Sequence, residues 1–213
     1  MRLLERKLKV MKDKGLLIIL SGPSGAGKDT VLANLLEINE NIQVSTSATT
    51  RKPREGEIDG QDYFFMSKPE FIQIVSQNGM LEHAEYCGHY YGTPYEQVEN
   101  WLCKGRDVIL EIETQGGSQV MKRCPYAISI FIIPPSLKEL ELRLKSRATD
   151  SKEAIEKRLN IAKKEIKSAK DYDYVVVNNT VEQCAKDIYN IIICEKMKSS
   201  RKINIIEEVL RDE

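Results

Sequence analysis

The sequence has no surplus charge of either sign: lysine and arginine together number 32, and so do aspartate and glutamate. A balanced chain generates no overall field to draw in a polyanion. Nucleic acid and anionic membrane are therefore excluded as partners of the molecule as a whole, and any basic function has to be local. A cysteine framework is also missing. The five cysteines (Cys87, Cys103, Cys124, Cys184 and Cys194) are odd in number, lie far apart and form no C-x-x-C pair. That excludes a disulfide scaffold or a zinc ribbon and suits reduced thiols in a cytoplasmic protein. The apolar runs are too short to span a bilayer, and the charged start of the chain has no signal-peptide core. No internal repeat or low-complexity tract interrupts the pattern. What remains is a chain of 213 residues, 41% hydrophobic and 30% charged, enough for one compact domain with appendages.

The stretch around which the rest is organised is LLIILSGPSGAGKDTVLANL at 16–35. Residues 16–20 are apolar without alternation, as in a strand buried on both faces of a parallel sheet. A glycine-rich turn follows, and then Val31, Leu32, Leu35 and Leu36 recur at helical spacing. Strand, glycine turn and helix form the context of a P-loop. Its backbone N–H groups make a nest for phosphate, the helix N-terminus adds partial positive charge, and Lys28 reaches the outer phosphates. The nucleotide-binding candidates are Gly22, Pro23, Ser24, Gly25, Ala26, Gly27, Lys28, Asp29 and Thr30, and the implied ligand is a nucleoside triphosphate with Mg²⁺. Asp29 stands where the motif has the Ser or Thr that ligates the metal. It either ligates Mg²⁺ through its carboxylate or turns away to cap the helix.

Along the chain, residues 1–15 carry six Lys or Arg and read as a solvated extension or a short amphipathic helix. Residues 43–48 read as a strand and 49–61 as a loop rich in charge, Pro and Gly. Strands at 62–65, 80–86 and 89–92, with a helix at 68–77, make a small mixed insert. Helices at 95–104 and 114–123 alternate with buried strands at 107–112 and 127–133. Ser136 caps a helix running to Arg147, and a break at 148–150 precedes a long helix over 151–170. A strand at 173–178 and a helix at 181–198 follow, and residues 203–212 add a helical turn or two. Strands alternating with helices predict an α/β fold with a parallel sheet covered on both faces.

The insert's polar residues sort into two groups. Arg51, Arg54, Tyr63 and Tyr91 offer guanidinium forks and phenol hydroxyls suited to a dianionic phosphate. Glu82 and Glu113, with Ser47 and Thr93, offer acceptors and hydroxyls that match guanine's Watson–Crick edge, where two donor groups lie beside one acceptor. Adenine would leave the carboxylates unpaired. Taken singly, each is an ordinary surface polar residue; the pattern lies in their combination.

These motifs closely resemble the guanylate kinase family over about residues 16–196: SGPSGAGK at 21–28, TTRKPREGEIDGQDYFF at 49–65, LEHAEYCGHYYGTP at 81–94, DVILEIETQGG at 107–117, PPSLKELELRLKSRATDS at 134–151 and YDYVVVNN at 172–179. The resemblance implies ATP-dependent phosphorylation of GMP, with dGMP as a second acceptor. It implies a P-loop core at 16–44 and 94–198, a GMP-binding insert at 45–93 and a helical lid at about 137–170, flanked by an extension at 1–15 and a tail at 199–213. Ser47, Glu82, Thr93 and Glu113 would read guanine, the last standing where the family usually has Asp. Arg51, Arg54, Tyr63 and Tyr91 would hold its phosphate. Arg143, Arg147 and Arg158 would close over the triphosphate opposite Lys28, while Asn178 and Asn179 lie near adenine. Glu111 either holds a metal-bound water or is structural. Two other readings compete: a ribose 1,5-bisphosphate phosphokinase, favoured by Asp29, and a non-catalytic phosphopeptide-binding module. The complete guanine set argues against the first, and the intact P-loop with its arginines against the second. Monomer and homo-oligomer both fit the sequence.

Overall fold

The computed structural model describes residues 14–146 and 152–211. Arg147, the break at 148–150 and the start of the chain up to residue 13 lie outside the described residues. The central strand is β1 (Leu17–Ser21), buried along its whole length. It pairs in parallel with β7 (Asp107–Glu111) on one side and β8 (Ile128–Ile133) on the other. With β2 (Ile42–Val44) and β9 (Tyr174–Val177) at the edges, the order is β2-β7-β1-β8-β9. Successive side chains of a strand point to opposite faces, and β1 divides accordingly. Ile18 and Leu20 pack with Leu35 of α1 (Lys28–Ile38) and with Ile188 and Ile192 of α7 (Val181–Met197). Leu17 and Ile19 pack with Val98 and Leu102 of α3 (Tyr95–Cys103) and Val120 of α4 (Thr114–Arg123). Both faces are covered, which is why the strand reads as an unbroken apolar run.

A second, mixed sheet has the order β4-β3-β6-β5, made of β3 (Ala48–Thr49), β4 (Phe64–Phe65), β5 (Met80–Tyr86) and β6 (His89–Pro94). Helix α2 (Lys68–Ser76) packs beneath it through Phe71, and Ser67 closes its start with a capping box to Glu70. The single strand expected over 43–48 is two strands in two sheets. Ser45 N–H makes the last bond to β7, at Ile109 O (2.9 Å), and Ser47 O already accepts from Phe64 N–H (2.8 Å). The chain crosses between sheets over three small polar residues that hold it in neither. The strand expected at 62–65 shortens to its two phenylalanines because the Asp62 carboxylate accepts the Ile58 N–H (2.8 Å) and bends the chain into a turn.

Beyond β8, Ser136 caps the next helix as expected, its hydroxyl accepting Glu139 N–H at 3.0 Å. Helix α5 (Leu137–Ser146) packs on α6 (Lys152–Lys167) through Leu140, Leu144, Ile155 and Ala162. The long helix ends sooner than its charge pattern suggests and tightens into a 3₁₀ turn at Ser168–Asp171. The C-terminal segment forms α8 (Ile203–Val209). Among the described residues no helix is long and apolar enough to cross a membrane.

One buried charge fastens the lower end of the sheet. The Asp107 carboxylate is fully buried; it accepts the Leu16 N–H (3.0 Å) and pairs with Lys196 of α7 (2.5 Å). Removing it strands a buried amide and a cation, so Asp107→Ala is expected to cost about 2–3 kcal/mol. A urea denaturation midpoint checks this; an unchanged midpoint would remove the role.

Candidate active site

The site stands at the C-terminal end of β1, where the chain turns into α1. Gly27 holds the last step of that turn in the left-handed region (φ 87°) and is the N-cap of α1. A Cβ there would also stand 2.7 Å from Asn178 Nδ2, so glycine is required twice over. Asn178 is buried at the end of β9, and its amide donates to Ala26 O at 2.7 Å. Arg143 of α5 reaches the same place, donating to Asn178 O at 3.1 Å and, through its Nε, to Glu139 at 3.1 Å. Arg158 of α6 donates to Ser24 Oγ at 2.7 Å. Lys28 Nζ spans the loop to Gly22 O at 3.0 Å. Two of the three expected arginines thus converge on the P-loop, and Arg147 lies outside the described residues.

Asp29 does not cap α1 by a hydrogen bond, since the cap position belongs to Gly27 and no side chain serves it. Its carboxyl instead faces Glu111, at the end of β7. Burial pushes the Glu111 carboxyl up to about 7; Lys28 opposes the rise, and the Asp29 carboxylate adds to it. Pro23 and Ala26 are buried within the turn, Gly25 is half-buried, and Thr30 is exposed on α1.

Beside the P-loop lies a cavity of about 330 Å³ whose wall includes Ser47, Tyr63, Glu82, Tyr91, Glu111 and Glu113. Five of the eight expected acceptor residues therefore share one cavity. Thr93 is not on its wall: it is fully buried and donates to Glu82 Oε1 at 2.8 Å. Glu82 itself is buried against the first turn of α4, where a Cβ at Gly116 would stand 2.7 Å from Oε2. Burial raises the Glu82 carboxyl above the ordinary carboxylate range; Thr93 pulls it down and Glu113 pushes it up. Arg51 lies over the ring of Tyr63 (5.3 Å) and is gripped by both oxygens of Glu57 (2.9 and 2.8 Å). Arg54 is exposed and meets Glu57 through its backbone N–H (2.7 Å).

Two acidic residues went unread in the sequence. Glu57 is held down to about 2, chiefly by Arg51. Glu165 of α6 is half-buried and raised by burial and by Glu113, while Lys28 and the Ser24 amide oppose the rise. Glu57 sits six residues from its partner in an irregular loop, where no periodicity pairs them. Glu165 is one more acid on a helix full of them.

Chemically this is a receptor for two anionic ligands. A glycine turn at a helix N-terminus, with Lys28, Arg143 and Arg158, takes a polyphosphate. The adjoining cavity takes a molecule that offers hydrogen-bond donors to two carboxylates. The model of the guanylate kinase family matches residues 14–195. The chain belongs to the guanylate kinase family. It is 49% identical over 200 residues to a guanylate kinase of Clostridioides difficile (94% of this chain, 98% of that one). It is 48% identical over 202 residues to a guanylate kinase of Halalkalibacterium halodurans (95% and 99%). The fold is similar to the crystal structure of guanylate kinase from Anaplasma phagocytophilum, with a TM-score of 0.70 at 38% identity, covering 89% of this chain and 90% of that one.

The raised Glu82 carboxyl makes a pH prediction for this family member. A carboxylate is needed to accept from the acceptor base, and a pKa above the ordinary value means that it protonates early as pH falls. The kcat/KM for the acceptor is expected to decline on the acid side sooner than an ordinary carboxylate would dictate. Glu82→Gln should be lower throughout and lack that limb. A pH–rate profile with the same limb in both proteins would assign it elsewhere.

Proposed function

We propose a division of labour among these residues for the family's reaction. The chain transfers the γ-phosphoryl group of ATP to GMP, giving ADP and GDP. The observation that carries the assignment is the position of Glu111: it lines the acceptor cavity and also faces Asp29 on the P-loop helix. Donor and acceptor sites therefore meet at one residue. GMP enters the cavity with its base toward Glu82 and Glu113 and its phosphate toward Tyr63, Tyr91 and Arg51, with Arg54 closing from solvent. Ser47 supplies a hydroxyl at the base, and Thr93 acts there through Glu82.

A phosphate oxygen of GMP is already a nucleophile, so no general base is required. It attacks the γ-phosphorus in line as the bond to the β-phosphate oxygen breaks, and the leaving charge stays on ADP. The P-loop amides and Lys28 hold the triphosphate. Arg143 and Arg158, with Arg147 between them in sequence, neutralise the charge that spreads over the transferring group. Closure of α5 and α6 over the site would exclude water that otherwise hydrolyses ATP.

Asp29 and Glu111 suit a hard divalent cation. Two carboxyl groups face each other beside a polyphosphate site, and the burial and mutual repulsion that raise Glu111 are relieved by a bound cation. Among the described residues no cluster of three such ligands exists, so phosphate and water would complete the shell. Mg²⁺ held there would screen the triphosphate charges. A ribose 1,5-bisphosphate acceptor has no donors for Glu82 and Glu113, and no observation favours that reading.

Initial rates with GMP, AMP, UMP and ribose 1,5-bisphosphate test the acceptor. GMP is expected to lead AMP by about four orders of magnitude in kcat/KM, the scale on which unpaired buried acceptors discriminate; comparable values for AMP would remove the guanine assignment. The phosphate clamp has its own test. Arg51→Ala should cost about 2–4 kcal/mol in kcat/KM for GMP, while ATP affinity, measured by calorimetry, stays near that of the wild type. Equal losses toward both nucleotides would contradict the division into two sites.

A further inference from the structure

Strand β5, which carries Glu82, is not regular. Its pairing with β6 runs from Met80↔Pro94 to His83↔Gly92, three steps on one strand against two on the other. The extra residue makes a β-bulge at Leu81 and Glu82, and a bulge re-aims the side chains it contains. β5 is also an edge strand of its sheet. Its outer N–H and C=O groups have no strand partner, and a bulge at a free edge can slip or straighten unless something holds it.

Helix α4 supplies the hold, and does so on both sides of the bulge. After it, the Gln119 amide acts as a substitute peptide group: Oε1 accepts the His83 N–H at 3.2 Å, and Nε2 donates to His83 O at 3.0 Å. Before it, the Arg123 guanidinium donates to Met80 O and, at 2.6 Å, to Asn78 O. Gln119 and Arg123 are four residues apart, on one side of the helix. Glu113 is the N-cap of that same helix, and Gly116 in its first turn leaves the room that the Glu82 carboxylate fills. One helix therefore carries one of the two carboxylates and clamps the irregular strand that aims the other.

We propose that Gln119 is a specificity-positioning residue, which with Arg123 pins the bulge of β5 so that Glu82 and Glu113 keep the separation that guanine requires. The inference rests on the assignment of these two carboxylates to the base. Gln119 touches neither substrate; it acts through His83 and the neighbouring Glu82. Its loss lets the bulge shift, spreading Glu82 over several positions. The effect falls on the acceptor base and not on the triphosphate.

The test compares wild type, Gln119→Met and Glu82→Gln. Methionine keeps the length and volume of glutamine while removing both hydrogen bonds. Amide exchange at His83 reads the clamp directly, and steady-state kinetics with GMP and with inosine monophosphate, which lacks the 2-amino donor, read the base. For Gln119→Met the expected result is faster exchange at His83 and a KM for GMP about tenfold higher. The GMP preference over inosine monophosphate should be reduced, while kcat and the KM for ATP stay near wild type. Arg123→Lys, which retains one donor toward Met80 O, serves as a milder second variant and should shift the same quantities less. Faster exchange with unaltered KM and preference would overturn the proposal, as would a loss shared by kcat and both KM values, the mark of general damage. If Glu82→Gln left the preference for GMP intact, the guanine assignment itself would fail. A null result in Gln119→Met beside a shifted Glu82→Gln defeats only the role of Gln119.

Discussion

The chemistry of this chain depends on where one short length of backbone is held. The P-loop is fixed at its entrance by β1, which is central in its sheet and buried on both faces. From above it is fixed by the Asn178 amide at Ala26 O. Neither contact involves phosphate. The nest of amides is therefore formed by packing alone, which is what a site must do if it is to receive charge without first reorganising. The same constraint explains why the polar groups around it are themselves tied down. Ser21 Oγ donates to Ile112 O (2.7 Å), joining the start of the loop to the strand end that leads into Glu113.

Around that fixed loop the chain gathers more negative charge than a phosphate site would be expected to tolerate. Asp29, Glu111, Glu113 and Glu165 all lie within electrostatic reach of Lys28 or of one another, and Glu82 completes the group on the acceptor side. Burial and mutual repulsion raise several of these carboxyls, so the unliganded site is electrostatically unfavourable. Substrates carrying donors, and a cation travelling with ATP, reverse the sign of those interactions. In the acceptor loop the arrangement is the opposite: Glu57 occupies the Arg51 fork and keeps the cation oriented over Tyr63.

Much of this was legible in the sequence, for identifiable reasons. Residues 16–20 announced a doubly covered strand because five consecutive apolar residues have few other uses. Ser136 announced a helix start because its hydroxyl serves a local amide. The guanine and phosphate residues could be grouped by chemical type before any geometry was known. What could not be read depends on contacts distant in sequence or on breaks in regularity. The stretch at 43–48 has the composition of one strand, and only the competition between two sheets divides it. The bulge at Leu81 and Glu82 leaves no mark, because an added residue in one strand is visible only against its partner. Thr93 could be recognised as polar and near a strand end, but its burial beneath Glu82 followed from the register of β5 and β6. The pairing of Asp29 with Glu111, from two elements over 80 positions apart, needed the parallel sheet to bring their ends together.

The clamp of α4 on β5 uses main-chain atoms alone: the carbonyls of Asn78, Met80 and His83 and the amide of His83. The second sheet also leaves the chain almost where it enters, since Ala48 lies opposite Gly92. A unit inserted at a single point, whose neighbour reads only its backbone, is free to change its side chains without losing its seat. Divergence of the accepted molecule can then proceed by substitution within residues 45–94 while the phosphate-handling half is inherited unaltered. The architecture in this sense separates what the enzyme recognises from what it does, and exposes only the former to evolutionary experiment.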